Sequence, residues 1–377
     1  MPELRFDAFY GEWEEKKLSD IGKITAGGDI NKTIIKEKGK YPVIANGDNN
    51  NGIVGYYDTE YKIEGPAVTI SARGNIGTAI ARNYNFTPVV RLLTLKTDHN
   101  INFTAENLNR LKIFNESTGV AQLTRPQLSL YKLSLPTIRE QEKIGDLFSK
   151  IDQLIESQQE LIDQTIAFKK SMLQKMFPKK DSLVPEFRFD SFKGDWKQCS
   201  FKDIYGNYES GNRLPKSQLK NGEIPYILAK TSDNGIYMRI DKNTLDYSGN
   251  KMKLFKPNSI TFSIDNPEAI FIQKEHFFTS NIMRVFYNKK HNKYHTIFFK
   301  TQFQKATQGF GWGNKFSGPV ALQSKLYVPV KNNSINFEEI EMIGYFINKL
   351  DEKIAKEEKL LDAYKDMKKS LLQKMFV

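Results

Sequence analysis

Cysteine is nearly absent from this 377-residue chain, with Cys199 as its one copy. A single thiol excludes an intramolecular disulfide framework and any zinc site built on several cysteines, so Cys199 reads as an inert small apolar residue. No run approaches eighteen consecutive apolar residues, and the opening PELRFDAF lacks the basic-then-apolar order of a leader. The expectation is a soluble, intracellular protein that does not enter a membrane. Nucleotide chemistry is missing too. There is no G-x-x-x-x-G-K-[ST] loop and no Gly-rich turn of the dinucleotide or adenosylmethionine kind. An Asn-Pro-Pro-aromatic tetrad for amino-group methylation is also lacking, since Asn266-Pro267 is followed by Glu268 and Ala269. His291 and His295 have no acidic residue between them, unlike a zinc-protease helix, and read as exposed histidines of a basic region. The stretch Gly47 to Gly52 lacks the closing glutamate and correctly placed glycine of a calcium loop, and reads as a hairpin turn. Acidic charge is in deficit, with 44 Asp and Glu against 56 Lys and Arg, for a net +12. That balance suits a polyanionic partner and is silent about fold.

What the chain has is repetition. IGDLFSKID (Ile144 to Asp152) aligns with IGYFINKLD (Ile343 to Asp351), and KKSMLQKMF (Lys169 to Phe177) with KKSLLQKMF (Lys368 to Phe376), both at an offset of 199. Neither stretch contains proline. Each carries apolar residues at heptad spacing over four to five heptads, the pattern of a coiled-coil helix. The residues expected to pack the helices together are Ile144, Leu147, Ile151, Leu154, Leu161 and Phe168 in the first, and Ile343, Phe346, Leu350, Ile354, Leu360 and Met367 in the second. Each helix would be about 57 Å long and would need a partner, most simply the other copy. Gln158 and Glu357 interrupt the stripes, as a register-fixing polar layer or as a solvated gap. The basic ends, with Lys169, Lys170 and Lys175 in one and Lys368, Lys369 and Lys374 in the other, suit the helix dipole.

The regions before the helices repeat as well. PELRFDAFYGEW (Pro2 to Trp13) returns as PEFRFDSFKGDW (Pro185 to Trp196) at an offset of 183, and Asn51-Gly52-Ile53 as Asn234-Gly235-Ile236. Strands are expected at Tyr41 to Ala45, Ala67 to Ser71 and Val89 to Leu95, and a helix over Thr104 to Asn115 capped by Thr104. QLTRPQLSLYKLSLP (Gln122 to Pro136) matches KFSGPVALQSKLYVP (Lys315 to Pro329), each with a final strand. The second repeat then carries six extra residues, Lys331 to Asn336, expected to be a loop insertion. The predicted boundaries are a first globular domain at 1–138, a helix at 139–178, a second domain at 179–337 with a short linker at 179–184, and a helix at 338–377. Loops diverge where the frame does not. Gly74-Asn75-Ile76-Gly77 is replaced by Ser263-Ile264-Asp265-Asn266-Pro267, and Thr118-Gly119-Val120-Ala121 by Gly309-Phe310-Gly311-Trp312-Gly313. One scaffold presenting two unlike surfaces is the expectation. Asparagine can pair with adenine edges in the major groove and arginine with guanine. Candidate contacts to DNA are therefore Asn46, Asn49, Asn50, Arg73, Asn75, Gln122 and Arg125 in the first domain. In the second they are Lys230, Ser232, Asp233, Asn266, Trp312, Asn314 and Lys315.

The repeated globular part, the QLTRPQLSLYKLSLP connector, the REQEKIGDLFSKID helix start and the KKSMLQKMF ending together resemble the specificity subunits of type I restriction–modification enzymes. The second copy departs at Glu339-Ile340-Glu341, where the first has Glu140-Gln141-Glu142. The resemblance implies an α+β chain of two tandem mixed α/β target-recognition domains, separated by two long helices in an antiparallel coiled coil with pseudo-two-fold internal repetition. It implies a non-catalytic, cytoplasmic bacterial subunit that recognises an asymmetric, bipartite site in double-stranded DNA, with half-sites about one turn, roughly 34 Å, apart. Two methyltransferase and two restriction subunits would be its partners, and S-adenosylmethionine, ATP and magnesium would be bound by them. The alternatives are a recognition subunit serving a methyltransferase alone, orphan or phase-variable, and a coiled-coil adaptor that does not bind DNA. A self-sufficient nuclease or methyltransferase is a rival that the missing motifs oppose.

Overall fold

The computed structural model describes residues 1–47, 49–113, 122–179, 182–215, 219–308, 310–311 and 315–377. The first repeat comprises β1 (Glu14–Lys17), α1 (Leu18–Ile21), β2 (Gly22–Ala26), β3 (Tyr41–Ile44), β4 (Ile53–Tyr57), β5 (Ala67–Ile70), β6 (Ala79–Arg82), β7 (Thr87–Pro88) and β8 (Leu93–Thr97). It continues through α2 (Ile101–Asn109), α3 (Arg125–Leu130), β9 (Lys132–Leu135) and the long α4 (Ile138–Lys175). The second repeat follows the same order: β10 (Trp196–Ser200), α5 (Phe201–Tyr205), β11 (Glu209–Ser210), β12 (Asn221–Ile227), β13 (Ile236–Ile240), β14 (Ser259–Ser263), β15 (Ile270–Gln273), β16 (Phe278–Thr279) and β17 (Met283–Phe286). It ends with α6 (Lys293–Thr307), α7 (Gly318–Gln323), β18 (Lys325–Lys331), β19 (Ser334–Ile335) and the long α8 (Phe337–Met375).

Sheet topology repeats strand for strand except for β19, which has no counterpart in the first repeat. A four-stranded sheet has the order β2-β8-β5-β6 in the first repeat and β11-β17-β14-β15 in the second. A three-stranded sheet has the orders β4-β3-β7 and β13-β12-β16, each with one antiparallel and one parallel pairing. The strand after each N-terminal segment pairs antiparallel with the strand that follows the short helix ahead of the long one, β1 with β9 and β10 with β18. The six extra residues of the second repeat form a tight hairpin rather than an open loop. β19 pairs with the end of β18, and Asn332 and Asn333 both take the left-handed conformation that a two-residue hairpin turn requires.

Two compact units result, Met1–Glu160 with Glu358–Val377, and Leu161–Glu357. Each contains a globular domain, the start of one long helix and the end of the other. In the first unit the core joins Val68, Ile70 and Leu95 of the sheet to Phe103, Ile144, Phe148 and Ile151, with Met375 and Phe376 closing it. In the second, Phe262, Phe286, Phe298 and Phe303 pack with Ile340, Ile343 and Ile347, closed by Met176 and Phe177. The helices are antiparallel within each unit. Phe376 lies against Phe148, ring centroids 5.7 Å apart, in the first, and Lys169 pairs with Asp351 in the second.

The buried stripe of α4 runs through Ile144, Phe148, Ile151, Gln158, Ile162, Thr165, Met172 and Met176, with Ile155 and Lys169 half-buried between them. Its steps alternate three and four residues without interruption, as a heptad seam requires. In α8 the same steps pass through Ile343, Ile347, Leu350, Ile354, Glu357, Leu361, Tyr364, Lys368, Leu371 and Met375, each buried or half-buried. Of the residues expected to pack the helices, Ile144, Ile151, Ile343, Leu350 and Ile354 are on this seam, and Leu147 and Phe346 flank it half-buried. The other five are corrected. Leu154, Leu161, Phe168, Leu360 and Met367 are 48, 37, 50, 38 and 41% exposed. They share the seven-residue period but stand one position, about 100° of helix rotation, away from the seam.

Three further expectations change. The helix of the first domain begins at Ile101, because Asn100 rather than Thr104 caps it, accepting from Phe103 N at 3.0 Å. Thr104 is buried inside it, and the segment beyond residue 113 lies outside the described residues until 122. The third strand starts at Leu93 because Arg91 adopts φ +74 and turns the chain. His291 and His295 are buried rather than exposed: His291 stacks on Phe299 at 4.9 Å, and His295 completes the α6 capping box with Asn292. Burial, with His295 beside it, pushes the His291 pKa down to about 4, so the ring is neutral and acts as packing.

Candidate nucleic-acid interface

Backbone and side-chain bonds gather three loops in each unit. In the first, Ala45 N donates to Gly52 O at 2.8 Å and closes the β3–β4 hairpin. The Asn46 side chain then crosses to the β5–β6 loop, its Oδ1 accepting from Ala72 N at 2.7 Å. Ala72 O accepts in turn from Leu123 N at 3.0 Å, and Arg73 bridges Gln122, which brings in the segment before α3. Arg91 completes the cluster, its guanidinium 2.5 Å from Gln122 Oε1. In the second unit Leu228 N donates to Gly235 O at 2.9 Å, Asn266 Nδ2 to Ala229 O at 3.2 Å, and Phe316 N to Ile264 O at 2.8 Å. The same three loops therefore meet, through matching backbone joints on either side and, between them, a side-chain tie that runs from the hairpin in one unit and to it in the other.

Asn49, Asn50, Arg73, Asn75 and Arg125 are exposed on this edge of the first unit, and Lys230, Ser232, Asp233 and Lys315 on that of the second. Gln122 is half-buried and held by Arg91. Asn46 and Asn266 reach the site in a different role. Their side chains tie one loop to the next, Asn46 through its oxygen and Asn266 through its amide nitrogen, while Asn266 Oδ1 also accepts from Glu268 N. Both are thus occupied with backbone and build the platform. Trp312 and Asn314 lie outside the described residues. Sequence reasoning missed Arg91 and Arg82. The available signal was a lone arginine in each of two mostly apolar runs, Val89 to Leu95 and Ala79 to Arg82.

Among the described residues, no group of three or more His, Cys, Asp or Glu able to hold a metal is found. Exposed amides, hydroxyls and cations on rigid loops can make hydrogen bonds to base edges and phosphates. The architecture is that of a tandem scaffold with two unlike polar edges.

Comparison with known proteins agrees with that class. The family model described as the type I restriction modification DNA specificity domain matches twice, at residues 10–165 and 193–363. The chain belongs to this family. It is 34% identical over 140 residues to a type I specificity subunit of Mycoplasma pneumoniae, covering 36% of this chain and 38% of that one. It is 25% identical over 285 residues to the specificity subunit of the type I restriction enzyme MjaIX of Methanocaldococcus jannaschii, covering 67% of this chain and 66% of the relative. The chain thus spans between about two fifths and two thirds of the length of these relatives. The crystal structure of a type I restriction–modification S subunit from M. genitalium shares the fold, with a TM-score of 0.73, 16% identity, and coverage of 100% of this chain and 99% of that one. Among the described residues, no helix is long and apolar enough to cross a membrane.

Proposed function

We propose that this chain is the DNA-specificity subunit of a type I restriction–modification system, and that each three-loop edge reads one half of an asymmetric, split site. The observation that carries this reading is the repeated gathering of the same three loops, whose exposed residues differ: Asn49, Asn50, Arg73, Asn75 and Arg125 on one side, Lys230, Ser232, Asp233 and Lys315 on the other. A common frame with unlike side chains suits two different half-sites. The net charge of +12 supplies the sequence-independent attraction to phosphate. In this reading the chain is non-catalytic and works in the cytoplasm. Two methyltransferase subunits and two restriction subunits assemble on it, and S-adenosylmethionine, ATP and magnesium are bound by them.

The test is to express the full chain with its methyltransferase partner and map adenine methylation across a genome. An asymmetric motif split by an unread spacer is expected. Replacing Arg73 and Asn75 by alanine should relax one half of that motif, and replacing Lys230 and Ser232 the other, by about 1–3 kcal/mol per lost base contact. Absence of any motif, or relaxation of both halves by either replacement, would overturn the reading.

A further inference from the structure

The hairpin at the tip of each edge carries three consecutive residues in the left-handed backbone region. Asn50, Asn51 and Gly52 all have positive φ, at 49, 51 and 77°. In the second unit Asp233, Asn234 and Gly235 do the same, at 52, 50 and 78°. Asparagine and glycine are the residues that accept the left-handed region most readily, and a two-residue hairpin turn needs two of them; here a third in a row lies beyond what the turn itself requires. Both hairpins are held from beneath by the last residue of the neighbouring sheet strand. Arg82, at the end of β6 and 2% exposed, donates through Nη2 to Asn51 O at 2.7 Å and through Nε to Thr69 Oγ1 at 3.2 Å. Gln273, at the end of β15 and 3% exposed, donates through Nε2 to Asn234 O at 3.1 Å and to Thr261 Oγ1 at 2.9 Å. The threonines are matched in turn, Thr69 donating to Ile80 O and Thr261 to Phe271 O.

This is one three-residue relay, built twice with different chemistry at its head. Its acceptor in each case is the carbonyl of the second left-handed residue of the hairpin. The two heads share a buried N–H donor and differ in charge, so donation rather than charge is the common requirement. We propose that Arg82 and Gln273 are positioning residues for DNA recognition: each fixes the posture of its hairpin, so that the exposed side chains at 49–50 and 232–233 are presented to the bases without an ordering cost on binding. The role rests on the reading of these edges as the DNA interface. The anchor itself does not. Tyr84, whose hydroxyl accepts from Arg82 Nη1 at 3.1 Å, extends the relay in the first unit.

The experiment uses the full chain assembled with its methyltransferase partner and compares Arg82→Ala, Arg82→Gln and Gln273→Ala with the wild type. Two quantities are read: discrimination between the cognate duplex and duplexes altered in one half-site, and amide exchange at Asn51 to Ile53 and Asn234 to Ile236 in the absence of DNA. Arg82→Ala should lose about tenfold in discrimination at one half-site only, the size of one base contact, and should speed exchange at Asn51 to Ile53. Gln273→Ala should do the same for the other half-site and the other hairpin. Arg82→Gln should stay within about threefold of wild type in both readouts, because glutamine serves at the matching position. An Arg82→Ala protein that discriminates like wild type, a loss spread over both half-sites, or an Arg82→Gln protein as impaired as the alanine variant would each overturn the proposal. A wild type that fails to discriminate at all would overturn the interface reading instead, while amide exchange would still test the anchor.

Discussion

The two closures where a globular domain meets the end of a long helix share one design and carry opposite charge balances. In the first unit the Arg110 guanidinium lies over the Phe376 ring, 5.3 Å from its centroid, and donates to Leu372 O. In the second, Lys305 lies 4.2 Å from the Phe177 centroid and donates to Leu173 O at 2.6 Å. Each cation satisfies a carbonyl of the last helical turn, where the helix dipole is negative. Buried carboxylates repeat too, Glu140 gripped by Arg5 and Glu339 by Arg188. Around them the units part. Lys368 sits between Glu106 and Asp152, 2.6 Å from each, whereas its counterpart Lys169 has Asp351 and acts on the nearby cation Lys300. One closure has a surplus carboxylate and the other a surplus amine. The lesson is that the joint is specified by geometry, a ring under a cation at a helix end, while the surrounding charge is free to drift between copies.

The largest expected effect tests that geometry. Phe376→Ala and Phe177→Ala should each destabilise their own unit by about 3–5 kcal/mol, measured by denaturant unfolding with amide exchange to assign the unit. Costs that differ more than twofold would break the equivalence of the closures. Smaller and deliberately unequal effects are expected at Gly145 and Gly344, the paired glycines of the long helices. A Cβ on Gly344 would stand 2.0 Å from Tyr294 O, a backbone atom, while one on Gly145 would stand 2.1 Å from the Asn100 side chain. Gly344→Ala should therefore cost about 1–3 kcal/mol. Gly145→Ala should cost nearer 1 kcal/mol, since its nearest obstacle is a capping side chain that can turn away. Equal costs would show that Asn100 is as fixed as backbone.

The smallest effects are in pH. Burial, with Lys169 beside it, pushes Lys300 down to about 8, and burial alone does the same to Lys305, from an ordinary 10.5. Between these values the unfolded chain binds more protons than the folded one, so the second unit should gain stability from pH 8 to 10.5. The slope should be at most about 1.4 kcal/mol per pH unit for each lysine. Lys300→Met should remove about half of that rise. The first unit should show no such rise. Burial works to lower the Lys368 pKa, but Glu106 and Asp152 together hold it above its ordinary value. Its contribution is full below pH 10.5 and is lost only as pH rises through the folded value. Urea midpoints across pH 7 to 10 would separate the two behaviours, and a rise in both units would refute the contrast.

Much of the scaffold was legible in the sequence because repetition is a global signal. Offsets of 199 and 183 predicted paired long helices and paired domains, and the family resemblance rested on the same residues. Part of the expected seam was misplaced by one position, in the first helix because Leu147, Leu154, Leu161 and Phe168 keep a seven-residue period of their own. Nothing local says which of two adjacent apolar stripes will meet a partner. The site was half-legible for a similar reason. Loops that differ between copies were recognisable, but the bonds that make Asn46 and Asn266 into ties, and Arg82 and Gln273 into anchors, join residues 26 to 39 positions apart.

By itself the sequence determined that the chain is a doubled unit with period-3.5 helices, since apolar spacing and self-similarity are properties of order along the chain. Only the tertiary structure decided that residues 358–377 complete the unit begun by residues 1–160, because Phe376 finds its burial against Trp13, Phe103 and Phe148, more than two hundred residues away. Burying an aromatic ring depends on which surfaces meet in space, and that is not written in the order of the residues.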